Sequence, residues 1–292
     1  MKVEFHSKIK HWLLDSYLEI CMDVQKKRKK PFYYIDLFSG DGKCECDNPK
    51  DKWDGSPLIA ASKCKKSQYP IFCIFNDENS DAISLLQRNL QGYKDCNIKI
   101  FNNDANKVYP EIVKLVPAKE HSLFFLDPFK HTQLNWSTVE GISKHTFKDF
   151  YGVNFVRRPE LLVNLMTYTM QVDYQQHPEY IDRFFGNNNW KSFVKTCEDN
   201  KEPVHRGFLT AYVKQLEQIY NQRPFFIEIK QVGRSLIKGE GNVIYYLVFV
   251  TSHPRASEIF GSLQKYIQKY KKITWAKEYF TLKGYSSLED FC

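Results

Sequence analysis

Four short stretches place acids where a carboxylate could do work: DLFSGDG at 36–42, NDE at 76–78, NDA at 103–105 and DPF at 127–129. An ionised carboxylate offers two acceptor oxygens and no donor, so it suits hydroxyls, amino groups and cations. Asp36, Phe38, Gly40 and Gly42 make the pattern D-x-F-x-G-x-G, in a chain with only 13 glycines. Glycines there let a ligand approach the backbone where a Cβ would collide, or else serve a tight turn needing positive φ at Gly42. Asp77, with Glu78 beside it, can take both hydroxyls of a ribose, an arrangement that paired carboxylate oxygens satisfy well. Counting back from LLQRNL favours Asp77 over Glu78, and Asn79 or Ser80 can cap the helix that follows. Asp104 can accept from an adenine amino group or simply cap its helix. Pro128 removes a backbone donor and stiffens the turn, leaving the Asp127 carboxylate as an acceptor with the Phe129 ring alongside, a geometry for a flat amino-bearing group.

The elements that must hold these residues can be read from hydrophobic pattern. FYYIDLF, PIFCIFND, IKIFNND and HSLFFLDPF are apolar on both faces and end in acids, as buried parallel strands do. Between them SPLIAASKCKK, SDAISLLQRNLQGY and NKVYPEIVKLV have helical spacing, with Ser56 as a cap and Pro57 at the first helical position. An earlier helix over about 5–25 carries Ile9, Trp12, Leu13, Tyr17, Ile20 and Cys21. PELLVNLMTY reads as a fifth strand, 175–222 as a helical insert, and PFFIEIKQVG with NVIYYLVFVTS as an antiparallel hairpin joined through RSLIKGEG before a last helix near SEIFGSLQKYIQKY. The expectation is α/β: a doubly wound, mainly parallel seven-stranded sheet with a terminal antiparallel hairpin. All four acid motifs then fall at strand carboxyl ends, where ligands bind in such sheets. The chain reads as one domain, 1–292, with an N-terminal helical segment at 1–30, an insert loop at 43–55 and the helical insert.

The 292 residues, with 22 Phe and 18 Tyr, support a large core. No apolar stretch suits a signal peptide or a membrane span, so a soluble cytoplasmic protein is expected, and no membrane partner. The eight cysteines have no paired spacing of a zinc site and read as thiols of a reducing compartment; no metal is expected. The formal charge of +8 gathers partly in KKRKK, 26–30, and in QKYIQKYKK. Such runs suit phosphate backbones, or they are solvated helix ends. There is neither a G-x4-G-K-[ST] loop nor a G-x-S-x-G elbow, which disfavours triphosphatases and hydrolases of those kinds.

This constellation resembles the class I S-adenosylmethionine-dependent methyltransferases. The resemblance implies that Asp36, Phe38, Gly40 and Gly42 pack against the methionine part of the cofactor, Asp77 with Glu78 holds the ribose, and Asp104 touches adenine. It further implies that Asp127, Pro128 and Phe129 face the substrate as the catalytic motif. A closer likeness, carried by KHWLLDSYL, YYIDLFSGDGKC, GSPLIAA, LFFLDPF, PELLVNL and YYLVFVTSHP, is to the three-Cys-motif partner (TcmP) family, named for a neighbouring radical-type protein. Two departures stand out. Enzymes that methylate amino groups of nucleic acids usually carry [DNS]-P-P-[YFW], whereas this chain has one proline fewer. The glycine loop also does not open into a helix; KCECDNPKDKWDG intervenes as an expected free loop over the cofactor mouth, with Trp53 in it.

The expected activity is methyl transfer to nucleic acid, RNA or DNA, which the basic runs, the tyrosines and NNNWKSF suit, or else to a peptide or small metabolite handled with a radical-type partner. Trp190 and Arg206 of the helical insert are selecting candidates, or plainly a core aromatic and a surface cation. The rival readings are an idle scaffold for a radical-type three-Cys partner, and a phage-defence nuclease in which Asp36, Asp77, Asp104 and Asp127 would hold metal. A dehydrogenase is disfavoured, since D-x-F-x-G-x-G is a poor dinucleotide fingerprint.

Overall fold

The computed structural model describes residues 2–3, 7–47, 50–67, 69–149, 155–230, 243–253, 256 and 258–263. Helix α1 (Ser7–Arg28) leads into β1 (Phe32–Asp36), and a small hairpin of β2 (Lys43–Asp47) and β3 (Lys50–Asp54) precedes α2 (Ser56–Lys66). Then β4 (Ile71–Asn76), α3 (Ser80–Asn89), β5 (Asn97–Phe101), α4 (Ala105–Leu115) and β6 (His121–Leu126) alternate. After α5 (Trp136–Ser143) and a second small hairpin, β7 (Phe147–Asp149) with β8 (Phe155–Arg157), comes β9 (Glu160–Leu165). Four helices follow, α6 (Thr167–Asp173), α7 (Pro178–Phe185), α8 (Trp190–Asp199) and α9 (Val204–Tyr220), before β10 (Phe225–Lys230) and β11 (Val243–Val250).

The main sheet has seven strands in the order β10-β11-β9-β6-β1-β4-β5. Strands β5, β4, β1, β6 and β9 are parallel, and β11 runs antiparallel to both β9 and β10. This is the expected mainly parallel seven-stranded sheet with a terminal antiparallel hairpin. The hairpin is folded back so that its second strand lies inside and its first forms the edge. Its connection through RSLIKGEG lies outside the described residues, as do QKYIQKYKK and the C-terminal part of the last predicted helix; residues 258–263 are helical.

Burial on both faces explains why the strands read as continuous apolar runs. Along β1, Tyr33 and Ile35 join the core under α4, α5 and α9, while Phe32 and Tyr34 join the core under α1 and α2. Successive residues point to opposite faces, so a strand covered on both sides needs an apolar residue at every position. A fully buried Leu or Phe contributes about 1.5–3 kcal/mol. The helices of the insert supply much of the first core: Phe185, Trp190, Phe208, Tyr212 and Leu216 are all buried in it.

Helix α1 buries His11, Leu14, Leu18, Cys21 and Gln25, a stripe at alternating spacings of three and four. Of the positions expected to be apolar and inward, Leu13, Tyr17 and Cys21 are buried, Ile9 and Ile20 are half-buried and Trp12 is 40% exposed, so the buried face is partly the one expected and extends to His11, Leu18 and Gln25. Its Lys26–Lys30 run is a solvent-exposed helix end, where cations complement the carbonyl terminus. The segment expected as a free loop at 43–55 is instead the β2-β3 hairpin, because Cys44 and Cys46 turn inward on alternate positions while Lys8 holds Asp51 at 2.6 Å. Ser56 does not cap α2. Gly55 takes the cap position and makes no side-chain cap, with Ser56 and Pro57 opening the helix.

Candidate functional site

The strand order reverses between β1 and β6: the chain moves outward from β1 through β4 to β5, then returns to the other side of β1. That reversal opens a crevice outside the carboxyl ends of the two strands, the place where ligands bind in open α/β sheets. Asp36 ends β1, Asp127 follows β6 and Asp77 follows β4, so the topology brings three of the four sequence-predicted acids around one crevice.

Asp36 is fully buried. Its carboxyl accepts from the Phe38 N–H at 3.1 Å and the Tyr34 hydroxyl at 3.3 Å, with the Ser56 hydroxyl as a further donor. Burial pushes its pKa up to about 7 against the pull of the Ser56 and Phe38 hydrogen bonds, and the charges of Asp127 and Asp77 add to the rise. Asp36 thus spends its acceptors on the protein and forms the base of the crevice. Phe38 is half-buried against the core under α4.

Gly40 and Gly42 both have positive φ, 59° and 78°. A Cβ on Gly42 would meet Leu86 Cδ1 at 3.0 Å and Leu58 Cγ at 3.1 Å, so this glycine serves the turn and its packing on α2 and α3. Gly40 serves Asp77 instead, its N–H donating to Oδ2 at 2.8 Å. The other oxygen of Asp77 accepts from the Asn79 N–H at 2.9 Å, while Asn79 itself caps α3. Asp77 is therefore not the cap. It is half-buried, aimed by two backbone donors, and each oxygen keeps acceptor capacity for a hydroxyl. Glu78 is exposed and accepts from the Gln133 amide at 3.0 Å. Asp104 caps α4, taking the Asn106 N–H at 2.8 Å; of the two uses expected for it, this is the one the geometry displays.

Asp127 carries two partners that sequence reading missed. Lys10 Nζ, from the first turn of α1, lies 2.7 Å from Oδ2 and 2.9 Å from Oδ1; the Asn164 amide donates to Oδ1 at 2.7 Å. Both members of the ion pair are nearly buried, at 12% and 11% exposure. The Lys10 ammonium also sits 5.8 Å from the centre of the Tyr245 ring. A signal for Asn164 existed, a polar residue inside the apolar run ELLVNL; Lys10 had none. Pro128 is buried, and Phe129 stands 71% exposed immediately beside the acid. That ring is a free stacking face, since apolar residues so exposed are not held there by packing.

The β2-β3 hairpin flanks this crevice. Trp53 Nε1 donates to His11 Nδ1 at 2.9 Å, and Lys8 lies 5.9 Å from the centre of the Trp53 ring. Burial, then the neighbouring Lys10 charge, lowers the His11 pKa to about 3, so His11 is a neutral acceptor that anchors the hairpin. The two candidates in the helical insert are placed elsewhere. Trp190 is 2% exposed in the core, its indole N–H donating to Asp182, and Arg206 is an exposed cation 3.9 Å from Glu202.

Among the described residues, no three of Asp36, Asp77, Asp104 and Asp127 bring carboxylate oxygens within 4.8 Å of one another, so they are not gathered as a metal cluster. No helix among the described residues is long and apolar enough to cross a membrane.

No protein-family model matches the chain, and no curated protein is similar to it by sequence. Some solved structures are similar to it at low identity and with TM-scores under 0.5. Protein LPL1258 of Legionella pneumophila, of the DUF519 family, is 12% identical with a TM-score of 0.47, covering 90% of this chain and 92% of that one. A Staphylococcus aureus protein assigned as a caffeoyl-CoA O-methyltransferase is 10% identical with a TM-score of 0.41, over 80% and 82%. The bifunctional kinase-methyltransferase WbdD is 10% identical with a TM-score of 0.40, over 82% of this chain and 39% of that one. At such values the likenesses say nothing of what this chain binds or acts on.

Proposed function

We propose that this chain, as a single domain, transfers a methyl group from S-adenosylmethionine to a base in RNA or DNA, in a reducing compartment such as the cytoplasm. The observation that carries the reading is the placement of Asp77, Asp127 and the exposed Phe129 ring around the crevice at the strand-order reversal. The cofactor fits the residues present. Asp77, pre-aimed by Gly40 and Asn79, would hold the ribose hydroxyls, and the neutral or anionic Asp36 beneath would tolerate a cationic ligand. The bound sulfonium supplies an electrophilic methyl. The protein is left with alignment and exclusion of water, which well-oriented sites turn into large rate gains.

Phe129 would stack a flat ring, and Asp127 would accept from its amino or hydroxyl group. An unpaired base is the acceptor that such a small stacking face suits. The exposed Lys26–Lys30 run does not line this crevice. It lies at the opposite edge of the sheet, since α1 places Lys10 at the end of β6 and Gln25 at its beginning. An RNA or DNA substrate would reach the crevice by an unpaired stretch, with that run available for a distant phosphate contact.

A second reading has its own observation. Lys10 and Asn164 already occupy Asp127, as expected of a TcmP-like scaffold that has lost turnover and serves a radical-type three-Cys partner. Calorimetry with S-adenosylmethionine, followed by transfer of labelled methyl to total RNA and to DNA, separates the two. The catalytic reading expects binding, label in nucleic acid, and loss of label in Asp127→Asn with cofactor affinity kept. Unchanged turnover in that variant removes Asp127 from the mechanism. No cofactor binding by the native chain leaves the scaffold.

A further inference from the structure

The edge of the sheet where strands begin holds a cluster that methyl transfer does not use. Cys21 of α1, His121 at the start of β6 and Glu160 at the start of β9 bring one sulfur, one ring nitrogen and one carboxylate oxygen within 4.8 Å of one another. Cys21 and Glu160 are 3% and 2% exposed. His121 Nε2 stands 2.8 Å from Glu160 Oε2, yet it makes no hydrogen bond there, the ring being out of line for one. A ring nitrogen and a carboxylate oxygen that converge without a hydrogen bond between them are placed as ligands are around an ion.

The surroundings match what holds metal ligands in place. The far nitrogen of His121, Nδ1, is 2.7 Å from Gln25 Nε2; with that amide turned over about its last torsion, its oxygen would hold Nδ1–H and leave His121 Nε2 as the lone-pair donor a metal needs. Thr251 donates to Glu160 Oε1 at 3.0 Å and Tyr17 to Oε2 at 2.6 Å, fixing the carboxylate. A cavity of about 40 Å³ adjoins the group, lined among others by Tyr17, Cys21, His121, Glu160 and Thr251. That is room for about one water.

We propose that Cys21, His121 and Glu160 form a zinc site, with a water from this cavity as the fourth ligand. The mixed sulfur, nitrogen and oxygen set is one that zinc accepts, and three protein ligands plus water is an established arrangement for it. Charge also balances: a thiolate and a carboxylate together neutralise a divalent cation, so no net charge is left in the core. The three ligands come from three elements, so the ion would clamp α1 onto β6 and β9. Lys10 lies eleven residues before Cys21, about 16 Å along the same helix. The clamp would therefore set where Lys10 meets Asp127.

The test uses the full chain stripped with a chelator and titrated with cobalt(II), which reports a thiolate ligand by a near-ultraviolet charge-transfer band and tetrahedral geometry by intense visible bands. The expected result is saturation at one cobalt per chain, displacement by zinc, and a higher Tm with zinc. Cys21→Ser should abolish the charge-transfer band, Cys64→Ser should keep it, and Gln25→Leu should weaken binding about 10- to 100-fold. X-ray absorption at the zinc edge of the native chain, which needs no variant to fold, should show one sulfur among nitrogen and oxygen neighbours. A native chain with neither cobalt bands nor a zinc-dependent Tm overturns the proposal and leaves His121 and Glu160 as an ion pair only. A band that survives Cys21→Ser and vanishes in Cys64→Ser also overturns it.

Discussion

The two ends of α1 hold acids in opposite ways. At one end Asp127 is met by Lys10, a long side chain on the first turn of a helix, and by one amide. At the other Glu160 is enclosed by Tyr17, His121 and Thr251, all of them short or rigid. Burial alone would raise the Glu160 carboxyl, but the His121 ring beside it and the Tyr17 and Thr251 hydroxyls bring it below its ordinary value. Tolerance to change differs accordingly: a lysine can swing away to admit a substrate, whereas a buried, multiply bonded acid serves architecture.

The largest effect is expected at the enclosed end, for Glu160→Ala. It strands Tyr17, Thr251 and His121 in the core and should cost about 3–5 kcal/mol of stability in urea unfolding; a loss under about 1 kcal/mol would mean the network is slack. Lys10→Met should cost less, about 1–3 kcal/mol, because Asn164 and nearby solvent still serve Asp127. Asp36 separates the two ends through pH. Its folded pKa stands near 7 against an ordinary 3.8, so its share of stability is full below about pH 4 and is lost as pH rises through 7. Unfolding midpoints measured between about pH 4 and 8 should fall with pH for the native chain, and less steeply for Asp36→Asn. Asp77→Ala should weaken S-adenosylmethionine at least tenfold by calorimetry, about 1.4 kcal/mol. The smallest effect is expected for Arg206→Ala, within about 0.5 kcal/mol, since its pair with Glu202 is exposed on both sides.

Much of the frame was legible. FYYID, HSLFFL and ELLVNL are apolar at nearly every position because the sheet is covered on both faces, and that pattern survives without any knowledge of partners. The strand-end acids were legible for the same reason, since an acid stands out where it closes an otherwise apolar run. The β2-β3 hairpin was not: its strands alternate weakly and carry several charges, and what organises them is contact with α1. Helix α1 was found with Leu13, Tyr17 and Cys21 on its buried face, but Trp12 and Ile20 were wrongly included and His11 and Gln25 missed, because these two are polar residues buried by tertiary partners. Trp190 looked equally able to read a substrate or fill a core, and only packing decided for the core.

The layers, the run of strands and helices, and the acids at strand ends were all set at the level of the chain, because they follow from local periodicity and from the cost of burying charge. Which acids meet was settled only by the tertiary arrangement. It put Asp36, Asp77 and Asp127 around one crevice, turned Asp104 into a cap, set Lys10 against Asp127 across 117 positions, and closed Cys21, His121 and Glu160 into one cluster. Such contacts depend on strand order and helix rotation, and residues so far apart in the chain carry no spacing by which they could be recognised.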